Sequence, residues 1–148
     1  MSRTALDSNI LVYAELEPDS AKGAQAQHVI KAAAVRAVLA MQTLLEFVAV
    51  VRRKRPESLP SAFGKVGAFS SVFEIAPTTH LVAEQAMALV KDHGFQVWDA
   101  VIWSTVRSAG ATVFMSEDLQ DGLRLDGMRV VNPFTAKPSE LDEVFTSS

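Results

Sequence analysis

The sequence predicts an α/β protein: a three-layer α/β/α sandwich around a central, mainly parallel sheet of five strands. Short apolar runs at residues 4–6, 35–40, 72–76, 112–115 and 129–131 have the length and composition of buried strands. Helical patterns fill most of the chain between them. Strands joined through helices need crossover connections, which give parallel neighbours with helices on both faces. A chain of 148 residues that is 49% hydrophobic suffices for one core, and no composition break divides it.

Each element has its own signal. The run 4–6 stops at Asp7, Ser8 and Asn9, whose side chains compete for backbone groups and favour turns and caps. Residues 10–15 continue as a helical turn or loop. Pro18, Asp19 and Ser20 form a second start signal, before an Ala/Gln/Lys-rich helix over 21–34. The buried strand 35–40 is followed closely by a helix over 42–55, where Leu44, Phe47, Val48 and Val51 fall at i, i+3, i+4 and i+7. That helix ends in Arg52, Arg53, Lys54 and Arg55, then Pro56. A weaker helix covers 58–70, and the β-rich run 72–76 closes on Pro77. Thr78 and Thr79 can cap a helix over 81–93 that carries Val82, Ala86, Leu89 and Val90 on one face, with Gly94 as its C′ residue. A helix over 98–109 is stopped by Gly110; in it Trp98 and Trp103 read as core. The strand 112–115 ends at Ser116, Glu117 and Asp118, and the last strand, 129–131, closes on Asn132 and Pro133. This organisation gives one domain over 1–134. The polar tail 135–148 is expected to be weakly ordered, although 141–145 can pack as a helical turn.

Composition bounds the chemistry. Without cysteine there is neither a disulfide framework nor a thiolate metal site. His28, His80 and His93 have no metal-ligand spacing, so a metal would be held by oxygen. A formal net charge of −3 excludes a broadly basic nucleic-acid coat, though not an enzyme that grips nucleic acid through a local patch. Neither a targeting signal nor a run of about 18 apolar residues is present, so a soluble intracellular protein with no membrane partner is expected.

Sites in open α/β sheets lie beyond the carboxyl ends of strands. Asp7 follows the first strand. Asp118 follows the fourth, with Asp121 three residues on. Glu46 lies in the helix after the second strand, on the turn nearest it, and Asp99 lies at the head of the helix 98–109. Two such charges about 6 Å apart repel by roughly 3 kcal/mol at an effective dielectric of 20, so a cluster of them takes up protons or a cation. Mg²⁺ or Mn²⁺ prefers oxygen ligands and activates water at a phosphoryl centre. Each acid also has a plainer role: Asp7 and Asp118 as turn or cap residues, Asp99 at a helix N-terminus, Glu46 on a solvent face. The run Arg52, Arg53, Lys54 and Arg55 reads either as a solvated helix end that complements the dipole or as a phosphate-contacting patch.

The segments that hold these acids resemble a known family. Residues 5–14 (ALDSNILVYA) are similar to the opening of PIN-domain nucleases, where a strand ends in Asp, a small hydroxyl residue and Asn. Residues 42–47 (QTLLEF) resemble the helix with the family's second acid, 97–102 (VWDAVI) the segment with its third, and 116–122 (SEDLQDG) its fourth motif as found in VapC-type toxins. The resemblance runs from residue 4 to 131. It implies Mg²⁺- or Mn²⁺-dependent hydrolysis of RNA phosphodiester bonds by the toxin of a toxin–antitoxin pair, a homodimer, and inhibition by a cognate antitoxin. Asp7, Glu46, Asp99 and Asp118 would form the acidic cluster, with Asn9 and Ser116 as supporting polar groups and Asp121 as a further acid. Ser8 stands where Thr is commoner. The segment before Asp99, 93–98 (HGFQVW), lacks the family's more familiar Asp-containing stretch.

Other readings fit less well. A haloacid-dehalogenase-like phosphatase needs a second Asp where Asn9 stands, and a receiver domain needs an Asp after the third strand, where 72–77 offers none. A metal-dependent adhesion module fails at Asn9 and Leu11. The remaining alternative is a catalytically inert PIN-like binding module.

Overall fold

The computed structural model describes residues 3–146. Among the described residues, seven α-helices and six strands follow one another, with one 3-10 turn at Pro56–Ser58: β1 (Thr4–Leu6), α1 (Ser8–Leu16), α2 (Ala21–Ala33), β2 (Ala37–Ala40), α3 (Met41–Lys54), α4 (Leu59–Val72), β3 (Glu74–Ala76), α5 (His80–His93), α6 (Val97–Ser108), β4 (Val113–Met115), β5 (Arg124–Leu125), β6 (Met128–Val131) and α7 (Pro138–Thr146). The sheet order is β3-β2-β1-β4-β6-β5, and every pairing is parallel except β5 with β6.

Alternation along the strands divides the core in two. Leu6, Leu39, Met115 and Val131 face one side, where α1, α2, α3, α4 and α7 supply Ile10, Val29, Phe47, Ala62 and Leu141. Ala5, Val38, Phe114 and Val130 face the other, covered by Leu89 of α5 and Trp103 of α6. The result is the expected three-layer α/β/α sandwich. Trp103 is fully buried between Phe95 and Phe114, with ring centroids 5.7 and 5.8 Å away. Capping follows the sequence signals: Ser20 accepts from the Gly23 amide, Thr79 from the Val82 amide, and Gly94 ends α5 in the left-handed conformation.

Four expectations are corrected. The sheet has six strands, not five: Asp126 (φ 51°) and Gly127 (φ 80°) turn the chain back so that β5 pairs antiparallel with β6. Residue 35 does not begin β2; Val35 is exposed in a tight turn at φ 63°, and the strand starts at Ala37. The segment after residue 134 carries a full helix, α7, whose Leu141 and Val144 enter the larger core, so up to residue 146 it is packed structure rather than a loose tail. Trp98 is 57% exposed and is not a core residue. Residues 1–2 and 147–148, the ends of the expected domain and tail, lie outside the described residues. No helix among the described residues is long and apolar enough to cross a membrane.

Candidate active site

The crossovers run from β1 through β2 to β3 on one side and through β4 to β6 on the other, so the connections diverge between β1 and β4. At such a switch point the strand ends splay apart and leave a crevice. Asp7 and Ser116 are the residues that follow these two strands, and the Asp7 amide donates to the Met115 carbonyl at 2.9 Å, which ties the two ends together.

Asp7 is 4% exposed, and each of its oxygens is engaged. Oδ1 accepts from the Ser8 amide at 2.8 Å and so caps α1, while Oδ2 accepts from Ser116 Oγ at 2.7 Å. The plain reading of Asp7 as a cap is met by Oδ1, while Oδ2 ties it to the residue that follows β4. Asn9 Nδ2 stands within 3.4 Å of Asp7 Oδ2, 3.4 Å of Ser116 Oγ and 3.2 Å of Asp118 Oδ2, at the centre of the group. Ser116 Oγ also accepts from the Asp118 amide at 3.1 Å.

Glu46 lies one turn into α3 and is half-buried; Ser8 Oγ donates to its Oε1 at 3.1 Å. Asp99 lies half-buried in the first turn of α6, three residues after the N-cap position Gln96.

Electrostatics couple these groups. Burial pushes the Asp7 carboxyl up to about 7; hydrogen bonds from Ser116 and Ser8 pull against it, and the charges of Asp118 and Glu46 add to the rise. Burial also raises Glu46, opposed by the Ser8 hydrogen bond and reinforced by Asp99 and Asp118. Asp99 is raised by burial and by Asp118. Each of the four expected acids is therefore coupled to at least two of the others.

Among the described residues, no group of three or more acidic or histidine side chains is arranged to hold a metal ion by itself. The donor set nevertheless suits a hard cation that keeps several waters and takes one or two carboxylates directly, as Mg²⁺ does. Every donor is oxygen, and the buried Asn9 Oδ1 has no hydrogen-bond partner of its own.

The other expected residues fall further out. Asp121 Oδ1 accepts from the Asn132 amide at 3.0 Å and braces the loop after β4 against the end of β6. Of the basic run, Arg53 and Lys54 line a groove that opens from the acids, whereas Arg55 Nη1 is bonded to the Leu16 carbonyl at 2.8 Å. Arg52 is exposed and does not reach the groove.

Sequence reasoning missed a group beside the acids. Tyr13 Oη donates to Glu117 Oε1 at 2.6 Å, and Lys22 Nζ donates to Glu117 Oε2 at 2.5 Å. Lys22 also sits over the rings of Tyr13 and Phe134. Burial alone would raise the Glu117 carboxyl, but Lys22 and Tyr13 outweigh it and hold it below its usual range. Glu117 lies between Ser116 and Asp118, so this anchorage fixes the loop that carries both. The only signal was position: Glu117 inside the fourth motif, and Tyr13 at the second turn of the helix that Asp7 begins.

The PIN-domain model matches residues 4–126, most of the chain. This chain belongs to the PIN-domain family. No curated protein sequence matches it. Among solved structures, the PIN chain is similar to the sarcin-ricin loop cleaving toxin VapC20 of Mycobacterium tuberculosis, at 16% identity over 78% of this chain and 91% of that one, with a TM-score of 0.65. It is also similar to a toxin-antitoxin complex from Klebsiella pneumoniae, at 20% identity over 88% and 97%, TM-score 0.67. A third likeness is to DNA-bound VapBC from Salmonella typhimurium, at 18% identity over 88% and 97%, TM-score 0.63. At these identities the likeness establishes the shared fold, and this PIN domain spans nearly the whole of each of those chains.

Proposed function

We propose that this PIN domain is a metal-dependent endoribonuclease, the toxin of a toxin–antitoxin pair, acting in the cytoplasm under control of a cognate antitoxin. The nuclease reading is supported by the electrostatic coupling of Asp118 to Asp7, Glu46 and Asp99, near the β1/β4 switch point. The toxin reading is supported by likeness to toxin chains and toxin-antitoxin complexes.

Asp7, Asp99, Asp118 and Glu46 would hold Mg²⁺ or Mn²⁺, one or two of them directly and the rest through its waters. When bound, such an ion polarises a phosphoryl oxygen and lowers the pKa of a coordinated water. The chain's own contribution is orientation: Ser116 and Ser8 fix the Asp7 carboxylate, and Asn9 spaces it from Asp118. Glu46, with one oxygen on Ser8 and its proton affinity raised, is suited to take the proton of an attacking water. Four of the 17 acids are thereby concentrated in one place, and the other 13 nearly balance the 14 basic residues, so the acidic net charge is no obstacle to an RNA substrate. The homodimer implied by the resemblance is supported by the exposed apolar face of α5 and α6.

Purified protein with Mg²⁺ or Mn²⁺ is expected to cleave single-stranded RNA, and chelation to stop cleavage without unfolding it. Asp7→Asn keeps the shape but removes a ligand charge, so its turnover should fall by about 10³-fold or more. Equal turnover by a folded Asp7→Asn protein would overturn the site. A folded parent that binds neither cation and cleaves no RNA supports the inert binding module instead.

A further inference from the structure

A groove of about 280 Å³ leads away from the acids between α1, α3 and the loop after β4. Its inner end is formed by Ser8, Asn9 and Asp118, and its outer end by Arg53 and Lys54. Between them the lining includes the apolar side chains of Val12, Leu16 and Val50. Helix geometry explains the arrangement. Glu46, Val50, Arg53 and Lys54 fall at i, i+4, i+7 and i+8 of α3, one stripe that begins at the acid cluster and ends at the cations. The rise from Glu46 to Arg53 is about 11 Å, longer than a single phosphate group.

The lining carries both signs of charge. Glu17 stands on the lining, and Glu117, also on it, is offset by Lys22 and Tyr13. Among the described residues, Arg53 and Lys54 have no carboxylate or carbonyl partner, unlike Arg55. A helix end that merely complements its dipole would not distinguish Arg52 from its neighbours, yet only Arg53 and Lys54 of the run face the groove.

We propose that this groove holds the stretch of single-stranded RNA beside the scissile phosphate, with a backbone phosphate against Arg53 and Lys54 and the nucleoside against Val12, Leu16 and Val50. The inference rests on the nuclease reading for the position of the scissile phosphate. Phosphate contacts of this kind set register and affinity without reading sequence. The groove therefore supplies grip, and base preference must come from elsewhere on the surface.

The test uses full-length Asp7→Asn protein, which binds without cleaving, and a short fluorescein-labelled single-stranded RNA followed by anisotropy. Adding Arg53→Ala and Lys54→Ala should weaken binding about ten-fold or more and reduce the slope of log affinity against log salt by about 0.7, the loss of one neutralised phosphate on a single strand. Adding Lys31→Ala and Lys65→Ala instead removes the same charge elsewhere and should leave affinity within about two-fold. In the active background, the Arg53/Lys54 pair should raise KM and leave kcat within about three-fold. Equal affinity of the two double variants overturns the groove, even if the parent cleaves RNA. Arg53/Lys54-dependent binding by a parent that never cleaves supports the groove and overturns the nuclease reading. Loss of antitoxin binding with RNA binding intact would assign the groove to a protein partner and overturn the proposal.

Discussion

A single side chain, Asp7, shows how far the site is built against the stability of the fold. Its carboxyl is buried and pushed up to about 7, mainly by loss of hydration. Between about pH 4 and pH 7 the folded state keeps a proton that the unfolded chain has released, so this group's contribution to stability falls as pH rises through that window and is flat above it. The full shift corresponds to at most about 4 kcal/mol. Asp7→Asn removes the charge and keeps an oxygen acceptor for capping α1. The variant should therefore be more stable than the parent by about 2 kcal/mol at pH 7.5 without divalent cation, and the gap should close near pH 4. Thermal unfolding by circular dichroism at the two pH values reads this directly; a gap of either sign that ignores pH would sink it. The position of Asp7 was legible because an acid directly after an apolar run marks a strand end. The bond from Ser8 to Glu46 and the triad of Tyr13, Lys22 and Glu117 were not, because the chain meets itself there across 38 to 104 residues and no local pattern records the approach.

At the scale of elements, two glycines with the same propensity cost have opposite roles. Gly23 lies in the first turn of α2, against the chain that leaves α1, and a Cβ there would stand 1.6 Å from the Glu17 carbonyl oxygen. Gly64, inside α4, has nothing within 4 Å of such a Cβ. Gly23→Ala should cost about 3 kcal/mol and lower Tm by about 10 °C, because backbone must move. Gly64→Ala should gain up to about 1 kcal/mol from helix propensity alone. Denaturant titrations of the pair would refute this if both substitutions shifted the midpoint the same way. Helices were legible from period and caps, down to Ser20, Thr79 and Gly94. Where the sequence misled, the reason is local. Val35 extends an apolar run but sits at φ 63°, a conformation costly for a β-branched residue. The two-residue β5 is too short for a periodicity, and only the Asp126-Gly127 pair signalled its hairpin. The segment carrying α7 looked polar because only Leu141 and Val144 of that helix are buried, with Ala136 and Phe145 packing partly buried beside them.

For the whole molecule, the helix pair α5 and α6 leaves large apolar side chains uncovered. The face with α1, α2, α3, α4 and α7 is packed by five helices, whereas α5 and α6, joined by Leu119, Leu123 and Leu125, cover the opposite face. On these two helices Leu81, Met87, Val97 and Trp98 are each more than half exposed, and an almost wholly apolar hollow lined by Ala86, Met87, Val90 and Val101 lies among them. Single exposed apolar side chains are ordinary, but four on one helix pair beside such a hollow have the character of an interface. A second copy seated there would also lie next to Asp99, the neighbour of Trp98, and so border the acid cluster. The protein should sediment as a dimer at about 50 µM, a concentration at which a stable interface of standard size is saturated. Met87→Glu should shift it toward monomer with little change in the Tm of the monomer, since the side chain is 63% exposed in a single chain. If Asp99 depends on the second copy, the variant's RNA cleavage should also fall and should recover with increasing protein concentration. Sedimentation equilibrium of both proteins decides the matter: a monomeric parent, or a dimer indifferent to a charge at residue 87, would move the interface off α5 and α6.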